Sequence, residues 1–146
     1  MSAGHGRVVA VDLGSRRVGL AISDRTGTLA RPLETIAVRG GDDAIDRVTR
    51  RIAELAAEDD GVGAVVVGLP RRLDGSSSPA TRAALAFVGQ LRGRVDVPVT
   101  TEDERLTSRE AEQRLAAREP DWRRRKARLD AASAAVFLQD YLDRRS

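Results

Sequence analysis

The sequence predicts an α/β fold, a mixed five-stranded sheet of three antiparallel strands followed by parallel βαβ units, flanked by helices. Three observations carry that expectation. Val-rich runs recur early in the chain with only short polar turns between them, the mark of a meander of hairpins. The run GAVVVGL at 63–69 is apolar throughout, which suits a central parallel strand covered on both faces. Helix-period segments then alternate with strand-like ones, as in βαβ units with right-handed crossovers.

Taken in order, Arg7 to Leu13 reads as the first strand, rich in β-branched Val. Gly14, Ser15 and Gly19 punctuate a tight turn, and Val18 to Ser23 returns as the second strand. Asp24 to Gly27 makes another turn, and about Leu33 to Val38 forms the third strand. Asp42 to Asp59 has helical spacing, with Ile45, Val48, Ile52, Leu55 and Ala56 on one face and Gly61 placed to end it. After the apolar strand, Leu73 to Ser78 is a polar loop, and Ser78-Pro79 opens a helix to about Leu91 as N-cap and first residue. Val97 to Thr101 is the fifth strand. Thr107 and Glu110 form a capping box for a helix to about Arg118, and Leu129 to Leu142 is a final Ala-rich helix.

The 146 residues suit one domain with one core, and residues 1–6 read as a flexible tail. No apolar run reaches the roughly 20 residues that cross a bilayer, and no signal-type segment precedes the first strand. Both point to a cytoplasmic protein with no membrane partner. The chain has no cysteine, and its one histidine, His5, lies in the Gly-rich tail. Disulfides, thiolate metal sites and cysteine nucleophiles are excluded, and a histidine triad has no basis. Chemistry must therefore come from carboxylates, hydroxyls, arginines and the single lysine, Lys126. The net charge of +3 is carried almost wholly by Arg, whose fork matches phosphate oxygens. Aromatics make up 3% of the chain, too few for a base-stacking platform.

Strand alternation puts Val8, Ala10 and Asp12 on one face and Val9 and Val11 on the other. Asp12 thus ends an apolar strand, and α/β sheets place their sites at the carboxyl ends of strands. A second acidic group, Glu102-Asp103-Glu104, follows the fifth strand at the matching end. A third acid, Asp130, opens the last helix, with apolar Ala134 and Phe137 at i+4 and i+7. Converging carboxylates repel unless a cation compensates them. Mg²⁺ and Mn²⁺ favour such oxygen ligands, and a pair about 3.5–4 Å apart clamps both sides of an in-line phosphoryl displacement. Each acid also has an ordinary structural role open to it. Asp12 can accept turn N–H groups, Asp130 can cap its helix, and Glu104 can pair with Arg105 or Arg109.

Four segments, VDLGSRRVGLAISD at 11–24, VVVGLPRRLDGS at 65–76, DERLTSREA at 103–111 and KARLDAASAAVFLQDYL at 126–142, span nearly the whole chain. In this order they resemble the YqgF/RuvX family, ribonuclease H-like proteins described as pre-16S rRNA nucleases or Holliday-junction-resolvase-like. The resemblance implies a phosphodiesterase of ribonuclease H-like fold dependent on Mg²⁺ or Mn²⁺. It implies Asp12, Glu104 and Asp130 as catalytic residues and metal ligands, with Asp103, on the opposite strand face, as the alternative to Glu104. Relatives in the wider fold carry an acid after the fourth strand, where this chain reads Gly68-Leu69-Pro70. The second acid falls instead after the fifth. Arg16, Arg17, Arg105, Lys126 and Arg128 become candidates for holding substrate, and a lysine near a metal pair can steady developing charge. Arg123 to Arg125 reads as a patch for salt-dependent, sequence-independent affinity.

The function so implied is a nuclease, a hydrolase acting on ester bonds, that trims the 5′ end of precursor 16S rRNA in ribosome biogenesis. Its partners would be structured RNA and the precursor ribosomal particle. The alternative is a Holliday junction resolvase acting on branched four-way DNA, whose symmetric cuts need two sites and hence a C₂ homodimer. Both a monomer and a homodimer fit the sequence. A non-catalytic nucleic-acid-binding module would need none of the three acids. An ATP-binding protein of the actin and sugar-kinase type shares the D-x-G turn but needs two lobes, more than this chain holds.

Overall fold

The computed structural model describes residues 6–70, 76–103 and 122–145, with the backbone course alone for 122–130. Along the chain run β1 (Arg7–Leu13), β2 (Arg17–Ser23), β3 (Ala30–Ala37), α1 (Gly41–Ala56), β4 (Val62–Leu69), α2 (Pro79–Arg92), β5 (Val99–Asp103) and α3 (Trp122–Arg145). The five strands form one sheet in the order β3-β2-β1-β4-β5. β1 pairs antiparallel with β2, and β2 with β3, while β4 runs parallel to both β1 and β5. The mixed α/β sheet expected from the sequence is the one observed.

Strand alternation divides the core into two layers. Val9, Val11, Leu20 and Val65 point to one face and pack under Ile45, Val48 and Leu55 of α1 and Phe87 and Leu91 of α2. Ala10, Ala21 and Val66 point to the other face and pack under Ala134, Phe137 and Leu138 of α3. Alanines in the sheet let α3 sit close, and two rings, Phe137 and Tyr141, fill that layer, Phe137 wholly buried.

Several boundaries differ from the sequence expectation, each for a long-range reason. β3 begins at Ala30, because its pairing with β2 extends to Ser23 opposite Ala30. Pro32 is tolerated there because β3 is an edge strand, which has a side free of ladder bonds. β5 starts and ends two residues later than expected, since β4 aligns Val65 with Val99 and Leu69 with Asp103. α1 stops at Ala56, which is exposed and not part of the core face. The chain then turns until Gly61, at φ +59, bonds back to the Glu58 carbonyl at 2.9 Å. Arg7 braces this corner from below: its guanidinium donates to the carbonyls of Gly61 and Leu55 and to Glu58 at 2.9–3.1 Å. The helix expected over 107–118 lies outside the described residues.

The β2–β3 turn is organised by one carboxylate. Asp24 accepts the backbone N–H groups of Thr28 at 2.7 Å and Leu29 at 3.2 Å and the Thr26 hydroxyl at 2.8 Å. These bonds, the Thr28 N–H foremost, hold its carboxyl below the ordinary 3.8. A pKa lowered by folding adds stability that is complete above 3.8 and lost as pH falls through the folded-state value. Thermal unfolding of Asp24→Asn and the parent chain should therefore differ at pH 6 and converge well below 3.8. A gap that persists at the lowest pH would mean that shape, not charge, is what the turn requires.

Candidate functional site

Asp12 is the last but one residue of β1, and it shares the α3-facing side of the sheet with Ala10. It is half-buried, not fully buried as its apolar neighbours suggest. Its sheet neighbours explain how an acid is accommodated. Asp12 lies opposite Gly19 of β2, and continuing the Val11–Val67 pairing by one residue sets it beside Gly68 of β4. Neither neighbour contributes a side chain, and a hard oxygen ligand at this strand end suits a divalent cation.

Beyond Gly68 in the same row is Glu102 of β5. Its carboxylate is only 13% exposed and is ion-paired with Arg144 of α3. The pair closes α3 over the far edge of the sheet, and it was not legible in the sequence because its partners lie 42 residues apart. Asp103, the alternative ligand, is exposed at the end of β5. Glu104 and Arg105, which follow it, lie outside the described residues.

Asp130 lies within α3, which starts eight residues earlier at Trp122. It does not open the helix as expected, and a capping role for it is ruled out. The cause is that α3 extends in both directions beyond the expected Leu129–Leu142. Lys126 and Arg128 are on the same early part of α3, where the backbone alone is described. Among the described residues no three acids form a group of metal-binding size. The donor chemistry nonetheless suits Mg²⁺ or Mn²⁺, because every acid at this end of the sheet offers hard oxygen and the chain holds no thiol.

The β1–β2 turn sets the geometry next to Asp12. Gly14 N–H donates to the Arg17 carbonyl at 2.9 Å, and the Arg16 carbonyl accepts the Val38 N–H at 2.9 Å. Arg16 is exposed and Arg17 half-buried. A Cβ on Gly14 would stand 2.6 Å from the Arg17 carbonyl oxygen, far inside contact distance and against backbone that cannot swing away. Gly14→Ala should therefore open the turn and cost about 1–3 kcal/mol, the usual range for overpacking. A calorimetric melt checks this, and an unchanged melting temperature would show that the turn relaxes freely.

On the other side, the exit from β4 is tied to α2. Ser78 caps α2, its side chain accepting the Thr81 N–H, while the Thr81 hydroxyl accepts the Ser78 N–H and donates to the Pro70 carbonyl. Thr81 is wholly buried. The sequence announced the Ser78 cap, but the second half of the capping box relies on Thr at a position where Glu or Gln is the usual signal.

A family model described as RuvX, Holliday junction resolvase, matches residues 6–144. Among curated proteins, one from Pelotomaculum thermopropionicum is 41% identical over 94% of this chain and 86% of its own length. One from Anaeromyxobacter dehalogenans is 44% identical over 96% and 98%. Both bear the description "Putative pre-16S rRNA nuclease". Among solved structures, Thermus thermophilus RuvC in complex with a Holliday junction substrate aligns with a TM-score of 0.53 at 19% identity, over 97% of this chain and 96% of that one. The yeast mitochondrial Holliday junction resolvase aligns with a TM-score of 0.50 at 10% identity, over 94% and 78%. At these identities the two structures speak to fold alone, and the fold they share with this chain is the ribonuclease H-like one of RuvC.

Proposed function

Because this chain belongs to the RuvX family, we propose that it is a divalent-metal-dependent nuclease that hydrolyses phosphodiester bonds and processes the 5′ end of precursor 16S rRNA. The observation that carries this reading is Asp12, standing half-buried at the carboxyl end of β1 between Gly19 and Gly68. The substrate follows the curated relatives.

In this reading Asp12, Glu104 and Asp130 hold Mg²⁺ or Mn²⁺, which when bound neutralises charge on both sides of an in-line displacement at phosphorus. The course of α3 supports bringing Asp130 to this end. On α3, Gln139 bonds Thr28 and Ala30 and Leu142 meets Gly27, all at the β2–β3 turn. Asp130 precedes Leu142 by twelve residues, about 18 Å back along a helix axis. That span leads back from the β2–β3 turn along the sheet face that Ala10 shares with Asp12. Arg16, Arg17, Arg105, Lys126 and Arg128 hold the sugar-phosphate backbone. Their arginine forks grip phosphate oxygens in pairs, and their combined charge makes binding strongly salt-dependent.

The protein works in the cytoplasm on the precursor ribosomal particle. No described helix is long and apolar enough to cross a membrane. The family description favours a second reading, cleavage of four-way DNA, which requires two copies of the site related by a two-fold axis. Among the described residues the large hydrophobics left exposed are Leu29, in the β2–β3 turn, and Leu85, on α2. RNA cleavage is the reading we adopt, following the curated relatives, and both a monomer and a homodimer fit it.

One digest tests it. A precursor 16S leader RNA and an immobile four-way DNA junction, separately labelled, are incubated together with the protein and Mn²⁺, with Asp12→Asn as control. Cleavage of the RNA alone, lost in the variant, is the expected result. Paired symmetric nicks in the junction would replace it with the resolvase reading. Cleavage of neither would leave a nucleic-acid-binding module.

A further inference from the structure

Across the β1–β2 turn from Asp12, on the opposite face of the sheet, lies a cleft of about 280 Å³ between the start of α1 and the flank of α2. It exists because the facing helix surfaces are small: Gly40, Gly41 and Ala44 on one side, Ala83 and Ala86 on the other. Leu13 and Phe87 form its inner wall, and Leu13 is the residue directly after Asp12.

The polar groups around this apolar slot are few and distinct. Ser15, Asp42 and Gln90 line it and are exposed. The neighbouring Asp43 is already committed, accepting the Arg39 N–H at 2.9 Å and Arg47 Nε at 3.0 Å. Arg16 and Arg39 are exposed and each adjoins a lining residue, Ser15 and Gly40. The bond from Val38 N–H to the Arg16 carbonyl holds those two segments together.

This pattern discriminates among occupants. A free anion would be attracted by the arginines but would meet the Asp42 carboxylate on the cleft wall. A wholly apolar partner would strip water from Asp42 with no compensating bond. A flat ring with N–H donors on its edge and phosphates on either side suits the carboxylate and the two arginines at once. Resting on the nuclease reading above, we propose that the cleft receives one unpaired base of the RNA substrate beside the scissile phosphate. Asp42 accepts its N–H donors, and Arg16 and Arg39 hold the adjoining phosphates. Guanine, which offers two adjacent donors to a carboxylate, is the preferred base. Uracil, with a single N–H between two carbonyls, is the least favoured. The cleft lining starts at Leu13, the residue after Asp12, and continues through Gly14 and Ser15, so a strand crossing that turn engages both.

The test uses an RNA hairpin with a randomised single-stranded 5′ extension, cut by the full chain with Mn²⁺ and sequenced. The expected result is about tenfold preference for guanine over uracil at one fixed position from the cut, the size of a single bidentate base contact. Asp42→Asn should reduce that preference below about twofold, and Ala86→Phe, which fills the slot from an exposed position, should raise KM more than it lowers kcat. Circular dichroism confirms that both variants are folded. A parent chain that cuts with no preference, or a preference untouched by both variants, overturns the proposal while leaving the nuclease reading standing. If the parent cuts no RNA, the nuclease reading falls, and fluorescence anisotropy with the same labelled RNA decides the cleft. Weaker binding by Ala86→Phe upholds it and unchanged binding overturns it.

Discussion

Asp12→Asn is expected to lower metal-dependent cleavage on the order of 10²–10³-fold, the loss typical of removing one group that stabilises transition-state charge. Asparagine has the same shape and keeps one carbonyl oxygen but loses the negative charge that a divalent ion requires. Asparagine keeps the shape at this half-buried strand end, so the melting temperature should fall by no more than about 4 °C, a change of about 1 kcal/mol for a chain of this size. Steady-state cleavage with Mn²⁺ and a melt of the same sample check both halves. Full activity in the variant would remove Asp12 from the metal set, and a large drop in melting temperature would make its role structural.

Phe137→Ala should produce the largest loss of stability. Phe137 is wholly buried between α3 and the alanine-lined face of the sheet, deeper than Tyr141, the other ring of that layer. Truncation leaves a cavity that Ala10 and Ala21 cannot fill, at a cost of about 3–5 kcal/mol. For a chain of this size that is a fall in melting temperature on the order of 10 °C. Phe137→Leu, which keeps most of the volume, should cost less than about 1.5 kcal/mol. Because α3 also carries Asp130, the alanine variant should lose activity below its own melting point, as the helix loosens before the sheet. Hydrogen exchange resolved along the chain tests this: amides of α3 should open before those of β1 and β4. Simultaneous opening would mean that α3 and the sheet unfold as one unit.

How much of this was legible beforehand depended on the range of the interaction. β1, β2, β4 and α2 announced themselves through β-branched runs, tight turns and a Ser-Pro helix start, all features within a few residues of one another. The ends of β3 and β5 did not, because they are set by alignment with β2 and β4, partners whose register no local pattern encodes. α3 was read too short because its first turns, rich in charge, lack an apolar stripe. Consequently Asp130 was placed at a helix start when it lies inside the helix. The cleft beside α1 was invisible for a related reason: small residues on α1 and α2 read simply as helix formers until the sheet sets the two helices side by side.

Order along the chain and alternation along each strand were enough to establish a mixed α/β sheet, and to put Asp12 at the end of its first strand on the face opposite Val9 and Val11. Both follow from steric rules of the backbone that act between near neighbours. The tertiary structure decided which residues stand around that acid. Gly19 and Gly68 come to flank it, Glu102 is taken up by Arg144, and α3 covers its face of the sheet. Those relations join residues far apart in sequence through hydrogen-bond register and core packing, which exist only once the sheet has formed.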